Sequence, residues 1–366
     1  MANVVWKFDL GGLERVVAEL GRTLDPATFD LSVLSLGGGG TMAEAASSSR
    51  LRVRVPSPQG RLSLLRPAAL AADLRRLGPD IVHSHSGVWL KAAYAARLAG
   101  VPGIVHTDHG RPHPDRLTAR IADRFGARLT DRVIAVSPPL AEYLSRRIVG
   151  GGRTVQVICN GVDTDRFVPG DPAAIRGRLG IPLDGLVVGS VGRLEPVKAY
   201  DSLIRAFGMA NEALGEPVHL VLVGDGSQHA RLLDTARAAS YAERIHLVGR
   251  QDAVPEWLAG FDIFALTSLS EGTSMSLLEA MACACCPVVT AVGGTPDVLG
   301  PALAHRLVRP GDDAAFGRAL ADALLDRARR ERDMKRARDR VVEAYALQAM
   351  ADAYEKVYRS MLDRLR

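Results

Sequence analysis

The sequence predicts an α/β protein of two domains, each built on a mainly parallel sheet. Short runs rich in β-branched residues alternate with longer amphipathic runs throughout the 366 residues, and no internal repeat is present. This length allows two domains of ordinary size, each with its own core. The Asn160-Gly161 turn and the Pro-Gly-Asp-Pro stretch at 169–172 indicate a link between them. We therefore predict domains over 1–165 and 166–344, followed by a final helix over 345–366.

The predicted elements follow from the periodicity of the apolar residues. In the first half, strands are predicted at Val4–Phe8, Asp30–Leu36, 51–55, 80–84, 103–107 and 132–136, with helices at Gly12–Leu24, 66–76, 88–99, 114–128 and 138–148. In the second half, strands are predicted at 186–191, 219–226, 244–250, Phe261–Leu266 and Pro287–Thr290, with helices at Asp252–Gly260, 327–340 and Tyr345–Arg366.

Composition narrows the class of protein. With 47% apolar and 24% charged residues, the chain is typical of globular proteins, and no apolar run approaches the ~20 residues that span a bilayer. The first residues lack the basic and long apolar regions of a secretory signal. The four cysteines, Cys159, Cys283, Cys285 and Cys286, have no metal-binding spacing, which favours buried thiols and a cytoplasmic location.

The positive charge is concentrated in the first half. Residues 1–165 hold 21 Lys or Arg against 15 Asp or Glu, a net charge of +6, whereas residues 166–366 hold 25 against 26, a net charge of −1. One row of arginines at spacings of four and five contributes much of it: Arg111, Arg116, Arg120, Arg124, Arg128 and Arg132. The row indicates either a solvated helix face or a peripheral contact with anionic lipid or a phosphate-bearing acceptor. No nucleic-acid-binding signature accompanies it.

Several histidines lie at or just beyond the ends of two predicted strands of the first domain. They are His83, His85, His106, His109 and His113. Without a convergent carboxylate or cysteine pattern, we interpret them as polar cleft residues rather than metal ligands. Gly11 and Gly12, between the first strand and helix, would let a ligand approach the backbone amides there, although a plain turn explains them equally.

Two cations and a glycine are candidate site residues of the second domain. Arg193 and Lys198 follow strand 186–191, near the start of the next helix, where the helix dipole disfavours positive charge. A diphosphate between them would offset that cost, with Arg giving forked hydrogen bonds and Lys a compact charge. Gly224 lies at the glycine-rich exit of the following strand.

The most informative segment runs from Ser268 to Pro287. It places Glu271 and Glu279 eight residues apart, between two predicted buried strands. Glu271 and the amides of Gly272, Thr273 and Ser274 are predicted at a helix N-terminus that attracts phosphate, with Glu279 about one turn further in. Either glutamate alone is more typical of a solvated helix start. Together they suggest a ligand with phosphates and hydroxyls, such as a nucleotide sugar.

These motifs resemble those of the family 4 retaining glycosyltransferases of the GT-B architecture. The resemblance covers nearly the whole chain, is densest over 158–300, and rests on Glu-x7-Glu with Ala-Met-Ala, on Arg193 with Lys198, and on G-G-L-E-R-V-V at 11–17. It implies two Rossmann-like domains with parallel sheets facing a central cleft. It also implies that the final helix, 345–366, returns to complete the amino-terminal acceptor domain, and that 166–344 is the nucleotide-sugar donor domain.

The resemblance also implies roles for individual residues. The catalytic set would be His109, Arg193, Lys198 and Glu271, and the donor-binding set would be Gly11, Gly12, Gly224, Gly272, Thr273, Ser274 and Glu279. Arg193 and Lys198 would stabilise the leaving diphosphate, and Glu279 would bind the ribose hydroxyls. No metal or other cofactor is expected, so Asp163-Thr-Asp165 is interpreted as a false match to the metal-binding Asp-x-Asp of other glycosyltransferases.

Two departures from the family pattern are alanines. Ala199 stands where family members usually have Gly after the Lys, and the turn after Glu279 reads Cys-Ala-Cys-Cys-Pro, without the usual Gly and one residue longer. The second departure predicts a distorted turn after the Glu279 helix.

The implied activity is retaining transfer from a UDP- or GDP-sugar to a saccharide or lipid-linked acceptor, in cell-envelope or exopolysaccharide biosynthesis. The protein would be cytoplasmic, with possible membrane association through the basic first domain. The alternatives are a nucleotide-sugar 2-epimerase of the same fold, a phosphorylase, and a non-catalytic sugar-nucleotide-binding protein. Arg193 and Lys198 argue against the last, and fold alone decides none of them.

Overall fold

The computed structural model describes residues 1–9, 11–40, 51–57, 67–111, 115–214 and 218–363. They form two compact units, one of residues 1–161 with 347–366 and one of residues 162–346. The units part four residues before the predicted boundary at 165, and the last helix belongs to the first unit. Among the described helices, none is both long and apolar enough to cross a bilayer. His113 of the predicted histidine group lies outside the described residues.

The first unit is a parallel sheet with helices. Its strands are β1 (Ala2–Val5), β2 (Ser32–Ser35), β3 (Arg52–Arg54), β4 (Ile81–His85), β5 (Gly103–Asp108), β6 (Arg132–Ala135) and β7 (Gln156–Val157), and its helices are α1 (Gly12–Thr23), α2 (Ala68–Leu77), α3 (Trp89–Ala99), α4 (Leu117–Arg128) and α5 (Pro138–Leu144). A π-helical turn, Ser145–Val149, continues α5. The strand order is β3-β2-β1-β4-β5-β6-β7, with Val4 of β1 paired to Leu34 of β2 and Ser84 of β4.

The second unit repeats this architecture. Its strands are β8 (Leu186–Val191), β9 (Val218–Val223), β10 (Ile245–Leu247), β11 (Ile263–Leu266), β12 (Cys286–Thr290) and β13 (Leu307–Val308), and its helices are α6 (Ala173–Leu179), α7 (Tyr200–Ala213), α8 (His229–Arg237), α9 (Val254–Ala259), α10 (Met275–Ala282), α11 (Thr295–Leu299), α12 (Asp313–Leu325) and α13 (Arg327–Ala344). The last helix, α14 (Leu347–Leu362), closes the first unit. The strand order β10-β9-β8-β11-β12-β13 is that of a Rossmann fold, and it reverses between β8 and β11.

The predicted α/β class with two parallel sheets is confirmed, with small shifts at the element ends. The first strand ends at Val5 rather than Phe8, because the Phe8 amide donates to the side chain of Ser35 (Oγ, 3.0 Å) at the end of β2 instead of to a backbone carbonyl. The helix predicted at 114–128 is observed as α4 over 117–128, and the strand predicted at 132–136 begins at Arg132. The arginine row therefore does not lie on one helix, because Arg111 precedes α4 and pairs with carboxylates, and Arg132 belongs to β6.

Helix α10, which carries Glu279, is defined at both ends by its sequence. Ser274 Oγ accepts from the Leu277 amide (3.4 Å), the side-chain cap expected of serine at this position. At the other end Ala284 is left-handed (φ 59°), and the Cys285 amide donates to the Ala280 carbonyl (2.9 Å). This is a Schellman motif with alanine where glycine is usual. The predicted distortion is therefore wrong: the motif is formed, and β12 starts directly after it at Cys286.

Ala284→Gly should stabilise the second unit. A left-handed alanine costs roughly 1–2 kcal/mol, and glycine gives back part of that through its larger unfolded-state entropy, leaving a gain of about 0.5–1 kcal/mol. The midpoint of urea unfolding would measure it. Ala319→Gly, in the interior of α12, is the matched control and should lose about 1 kcal/mol. Equal losses for both variants would show that Ala284 is unstrained.

Candidate functional site

Apart from Glu279 in helix α10, the predicted residues of the second unit lie on loops at one edge of its sheet. These loops follow β8, β9, β11 and β12, and backbone hydrogen bonds join them pairwise. The Gly192 amide donates to the Val223 carbonyl (3.0 Å), and the Leu269 amide donates to the Val197 carbonyl (2.8 Å). This is the carboxyl edge of the strands, where α/β sheets bind ligands at the reversal of strand order.

Close backbone contacts hold this edge together at two glycines. Gly224 has φ 146°, and a Cβ there would clash with the carbonyl oxygen of Gly192. Gly293 has φ 51°, and a Cβ there would clash with the carbonyl oxygen of Glu271. The Gly294 amide donates to the Gly272 carbonyl (2.8 Å), which fixes the loop before α10 to the loop after β12. The sequence analysis did not single out Gly293 as a site residue, and only its Gly-Gly-Thr-Pro context could have indicated it.

An ion pair between Lys198 and Glu271 lies at the centre of this edge. Lys198 Nζ is 2.6 Å from Glu271 Oε1, and the two side chains are only 18% and 10% exposed. Ser268 Oγ donates to the same oxygen at 2.6 Å. The Ser268 carbonyl in turn accepts from Thr290 Oγ1 at 2.6 Å. A polar chain from β12 thus positions the carboxylate, and the carboxylate positions the ammonium.

The backbone around Lys198 is fixed by a neighbouring side chain. Lys198 ends a short 3₁₀ turn that starts at Pro196, and Ala199 is left-handed with φ 48°. Thr267 Oγ1 lies 3.1 Å from the Lys198 carbonyl and 3.0 Å from the Ala199 carbonyl. Ala199, which departs from the family pattern, therefore adopts the left-handed conformation that glycine adopts most readily.

The remaining predicted residues of this unit differ in exposure. Arg193 follows β8 with its side chain exposed, whereas Glu279 is 2% exposed in the fifth position of α10. Thr273 and Ser274 are buried at the start of that helix. Glu271 lies three residues before the cap Ser274 rather than at the helix N-terminus, because α10 begins at Met275.

In the first unit, Gly11 and Gly12 begin α1 as predicted. Gly11 is the N-cap with an extended backbone, and Gly12 is the first helical residue. The side chain of Glu14 lies over Gly11, in the space that a Cβ would take. This places a carboxylate at the positive end of the α1 dipole.

His109 ends a chain of three buried or half-buried polar side chains. His85 Nε2 lies 3.1 Å from Asn3 Oδ1, and His85 Nδ1 lies 3.0 Å from His109 Nε2. The amide oxygen only accepts, so His85 carries its proton on Nε2, and the proton between the rings belongs to His109 Nε2. His109 Nδ1 is thereby left as a hydrogen-bond acceptor. The sequence analysis did not identify Asn3, and nothing in its spacing from the histidines signals the contact.

The other histidines are bound into the core. His83 Nδ1 is 2.8 Å from the Tyr358 hydroxyl of α14, and His83 Nε2 is 2.8 Å from Thr107 Oγ1. His106 stacks on the Trp89 ring, with the ring centroids 3.9 Å apart. These contacts favour a structural role for His83 and His106 and show how α14 docks on the first unit.

An acidic and basic cluster holds the loop after β5. Asp108 accepts from the Gly110 amide (3.0 Å) and from Arg111 Nε (2.7 Å). Arg111 Nη1 also lies 3.0 Å from Asp115 and 2.8 Å from Asp123. Burial acts to lower the pKa of Arg111, but the carboxylates outweigh it and raise that pKa. These contacts therefore hold the loop on both sides of His109, through Asp108 before it and Arg111 after it.

The Asp-x-Asp segment has a local structural role. Asp163 Oδ1 accepts from the backbone amides of Asp165 (3.2 Å) and Arg166 (3.1 Å), which forms an Asx turn at the start of the second unit.

The Lys198–Glu271 pair should show strong energetic coupling. Lys198→Met or Glu271→Gln leaves a largely buried charge without its partner, which should cost about 1–3 kcal/mol, whereas the double variant should recover about 1–2 kcal/mol of the summed losses. Urea unfolding of the four proteins measures the coupling. Lys335 and Asp339 form a control pair at 2.9 Å with side chains 80% and 62% exposed, and should show no measurable coupling. If the loss of stability in the double variant equalled the sum of the two single losses, Lys198 and Glu271 would not be coupled, and this would contradict the ion pair.

Acid should destabilise the first unit. Burial lowers the pKa of His83 to about 3, with the charge of His109 adding to the effect, and burial lowers the pKa of His109 to about 3. The unfolded chain, with histidine pKa values near ~6.5, then binds more protons than the folded chain between these limits. Stability is therefore complete above pH ~6.5 and falls by up to about 1.4 kcal/mol per pH unit per histidine as the pH drops towards ~3.

Urea titration at several pH values between neutral and mildly acidic would measure the free energy of unfolding. Hydrogen exchange of the amides in β4 and β5 would show that the loss lies in the first unit. His83→Gln keeps a donor and an acceptor but not the titration, so it should flatten the slope. His229→Gln, at a 39% exposed side chain of the second unit, should leave the slope unchanged. A slope unaltered by His83→Gln would contradict the burial argument.

The chain matches two known families in sequence. Residues 10–166 match the family described as Glycosyltransferase Family 4, and residues 171–340 match Glycosyl transferases group 1. A relative from Streptomyces fradiae, 2-deoxystreptamine N-acetyl-D-glucosaminyltransferase, is 30% identical over 98% of this chain and 93% of its own. The Escherichia coli UDP-Gal:alpha-D-GlcNAc-diphosphoundecaprenol alpha-1,3-galactosyltransferase is 26% identical over 96% of this chain and 95% of its own.

Solved structures agree on the fold. The structure of Anabaena HepE in complex with UDP-glucose has a TM-score of 0.86 and 21% sequence identity, over 98% of this chain and 99% of that one. At this identity the likeness bears on the fold alone, which is GT-B. The two family matches and the near full-length relative together show that the chain belongs to the family 4 glycosyltransferases, with a second half of the group 1 type.

Proposed function

We propose that this glycosyltransferase moves a sugar from a nucleoside diphosphate sugar to an acceptor hydroxyl, with retention at the anomeric carbon and without a metal or other cofactor. The observation that carries the proposal is the Lys198–Glu271 pair at the carboxyl edge of β8 and β11, with Arg193 exposed on the same loop as Lys198. A preplaced ammonium and an exposed guanidinium on one loop suit a diphosphate, which takes up most of the negative charge that develops as it leaves the sugar.

The proposed roles follow from what each group can donate or accept. Arg193 and Lys198 neutralise the leaving diphosphate. Glu271, already half of an ion pair, accepts hydrogen bonds from sugar hydroxyls, and the backbone amides of 272–274 at the start of α10 bind donor oxygens.

Other groups complete the donor contacts in this proposal. Glu279 binds the ribose hydroxyls, and Gly224 lets the nucleotide lie close to the backbone. In the first unit, Gly11 and Gly12 offer backbone amides, and His109 orients the sugar. We assign no carboxylate nucleophile.

For the acceptor, we propose a saccharide or lipid-linked saccharide of cell-envelope or exopolysaccharide biosynthesis, used in the cytoplasm with possible membrane association. The E. coli relative, named for a diphosphoundecaprenol-linked acceptor, supports this. A small aminocyclitol is the second candidate, because the S. fradiae relative that spans nearly the whole chain is named for 2-deoxystreptamine. The S. fradiae relative is named for transfer of N-acetylglucosamine, and the E. coli relative is named for UDP-Gal as its donor. UDP-N-acetylglucosamine and UDP-galactose are therefore the first donors to test.

Isothermal titration of UDP-N-acetylglucosamine, UDP-galactose and GDP-mannose tests the diphosphate site. We expect the wild type to bind one base class selectively and Arg193→Ala/Lys198→Ala to bind it at least about 100-fold more weakly, since two charge-assisted contacts are lost. EDTA should not change either result. Arg329→Ala/Lys335→Ala, two exposed cations of α13, removes the same charge and should bind as the wild type does. Equal loss in both double variants would contradict a site at Arg193 and Lys198.

Product analysis separates transfer from the alternatives. With donor and acceptor together, NMR of the product should show the anomeric configuration of the donor, whereas an epimerase would convert the donor with no acceptor present. Inversion at the anomeric carbon would overturn the retaining mechanism and leave the diphosphate site intact.

A further inference from the structure

One of the three tryptophans in the chain lies in solvent. Trp6, in the first unit, is 63% exposed, whereas Trp89 and Trp257 are 1% and 2% exposed. A tryptophan in a core buries roughly 150–250 Å², so the exposed indole leaves a large apolar area open to a ligand. Single exposed apolar residues are common on protein surfaces. What distinguishes Trp6 is its place in the sheet.

Trp6 lies at the carboxyl edge of the first sheet, directly after β1. The strand order of this sheet reverses between β1 and β4. In open α/β sheets, ligands bind beyond the carboxyl ends of the strands at such a reversal. Within its own unit, Trp6 therefore holds the position that the loop of Arg193 and Lys198 holds after β8 in the second unit.

The segment that carries the indole is fixed by its neighbours. Phe8, two residues further on, is fully buried, and the Gly37 amide donates to the Trp6 carbonyl. A Cβ at Gly37 would lie 3.2 Å from both Nε1 and Cε2 of the indole, so the missing side chain lets the ring lie against the loop after β2. The ring is thus held along one edge while most of its surface remains in water.

The loop on the other side of the reversal, after β4, is strained and has open space beside it. Ser86 is left-handed with φ 45°, a conformation that is costly for any residue with a Cβ. Its Oγ accepts from the His109 amide (3.1 Å), which contributes to holding it there. A Cβ at Gly87 would meet nothing within 4 Å. Backbone strain of this kind is concentrated at ligand sites, which supports a binding role for this part of the edge.

The charges near Trp6 favour an uncharged ring over a phosphate. Lys7 Nζ is 2.6 Å from Asp9 Oδ2, so the cation next to the indole already has a counter-charge. The face of an indole carries partial negative charge, which attracts C–H groups and ammonium groups. A pyranose or a cyclitol presents C–H groups on a face of its ring and hydroxyls around its edge.

We propose that Trp6 is the platform on which the six-membered ring of the acceptor lies, with the C–H face of a pyranose or cyclitol against the indole. This inference rests on the proposed function, because it leaves donor binding to the groups described above and gives the first unit a residue for the acceptor. Trp6 takes no part in bond breaking, so its loss should raise the KM for the acceptor and leave kcat unchanged.

Acrylamide quenching of tryptophan fluorescence tests the contact directly, because the other two tryptophans are buried. Trp6→Phe should remove the readily quenched component and so assign it to Trp6. In the wild type, with and without UDP, saturating 2-deoxystreptamine or methyl α-N-acetylglucosaminide should abolish most of this quenching, and the ring that does so identifies the class of acceptor. Protection by neither ring would overturn the proposal. Protection by UDP alone would also overturn it, and would place a nucleobase on the indole instead.

Kinetics separates recognition of the ring from damage to the fold. Trp6→Ala should raise the KM for the acceptor about tenfold or more without changing kcat or the KM for the donor, and Trp6→Phe should restore most of the loss. Phe125→Ala is the matched control, since Phe125 is 52% exposed near the end of α4, which leads to the opposite edge of the sheet at β6. An equal rise in KM for Trp6→Ala and Phe125→Ala would contradict the proposal.

The two proposals can fail separately. Protection of Trp6 by a ring in a chain that binds no nucleotide sugar would leave the platform standing and overturn the proposed transfer. Selective binding of a nucleotide sugar, without protection of Trp6 by either ring, would do the reverse.

Discussion

The pairing of Lys198 with Glu271 is the interaction on which the second unit's site depends. It joins the loops after β8 and β11, the two strands between which the order of the sheet reverses, and both side chains are largely withdrawn from water. A buried ammonium without a counter-charge would lose its proton or move to solvent. Glu271 therefore keeps a cation in place at the sheet edge, and Ser268 keeps Glu271 in place through a 2.6 Å hydrogen bond. Side chains held in place by such contacts reduce the cost of binding.

The backbone of the second unit is strained at two positions where family members usually have glycine. Ala199 directly follows Lys198, Ala284 follows the helix of Glu279, and both are left-handed. Thr267 offsets the first through its contacts with two carbonyls, and the Schellman hydrogen bonds offset the second. The surrounding structure thus imposes the family's loop geometry on residues that disfavour it, which shows how strongly the fold determines these loops.

The sequence predicted the two sheets and the order of their elements because periodicity and glycine turns are local signals. It also predicted that the cations and glutamates of the second unit would share one edge, since parallel strands end together. It did not predict that Lys198 pairs with Glu271, 73 residues away, or that Asn3 orients His85 across 82 residues. Tyr358 reaches His83 from a helix 275 residues later. Such contacts are fixed by tertiary packing, for which spacing carries no signal. The turn at Ala284 was mispredicted because a missing glycine indicates a conformational cost and does not exclude the conformation.

The two units differ in the polar groups that lie at an edge of each sheet. The second unit keeps charges there and pairs them, which suits an anionic ligand. The first unit fills its edge with imidazoles, and burial lowers the pKa values of His83, His85, His106 and His109 so that they are neutral at physiological pH. A neutral imidazole both donates and accepts, so the chain from Asn3 through His85 can set which nitrogen of His109 accepts. A charged ring at that position would present only donors. Neutral hydrogen-bonding groups suit hydroxyl groups, whereas paired charges respond mainly to anions such as phosphate.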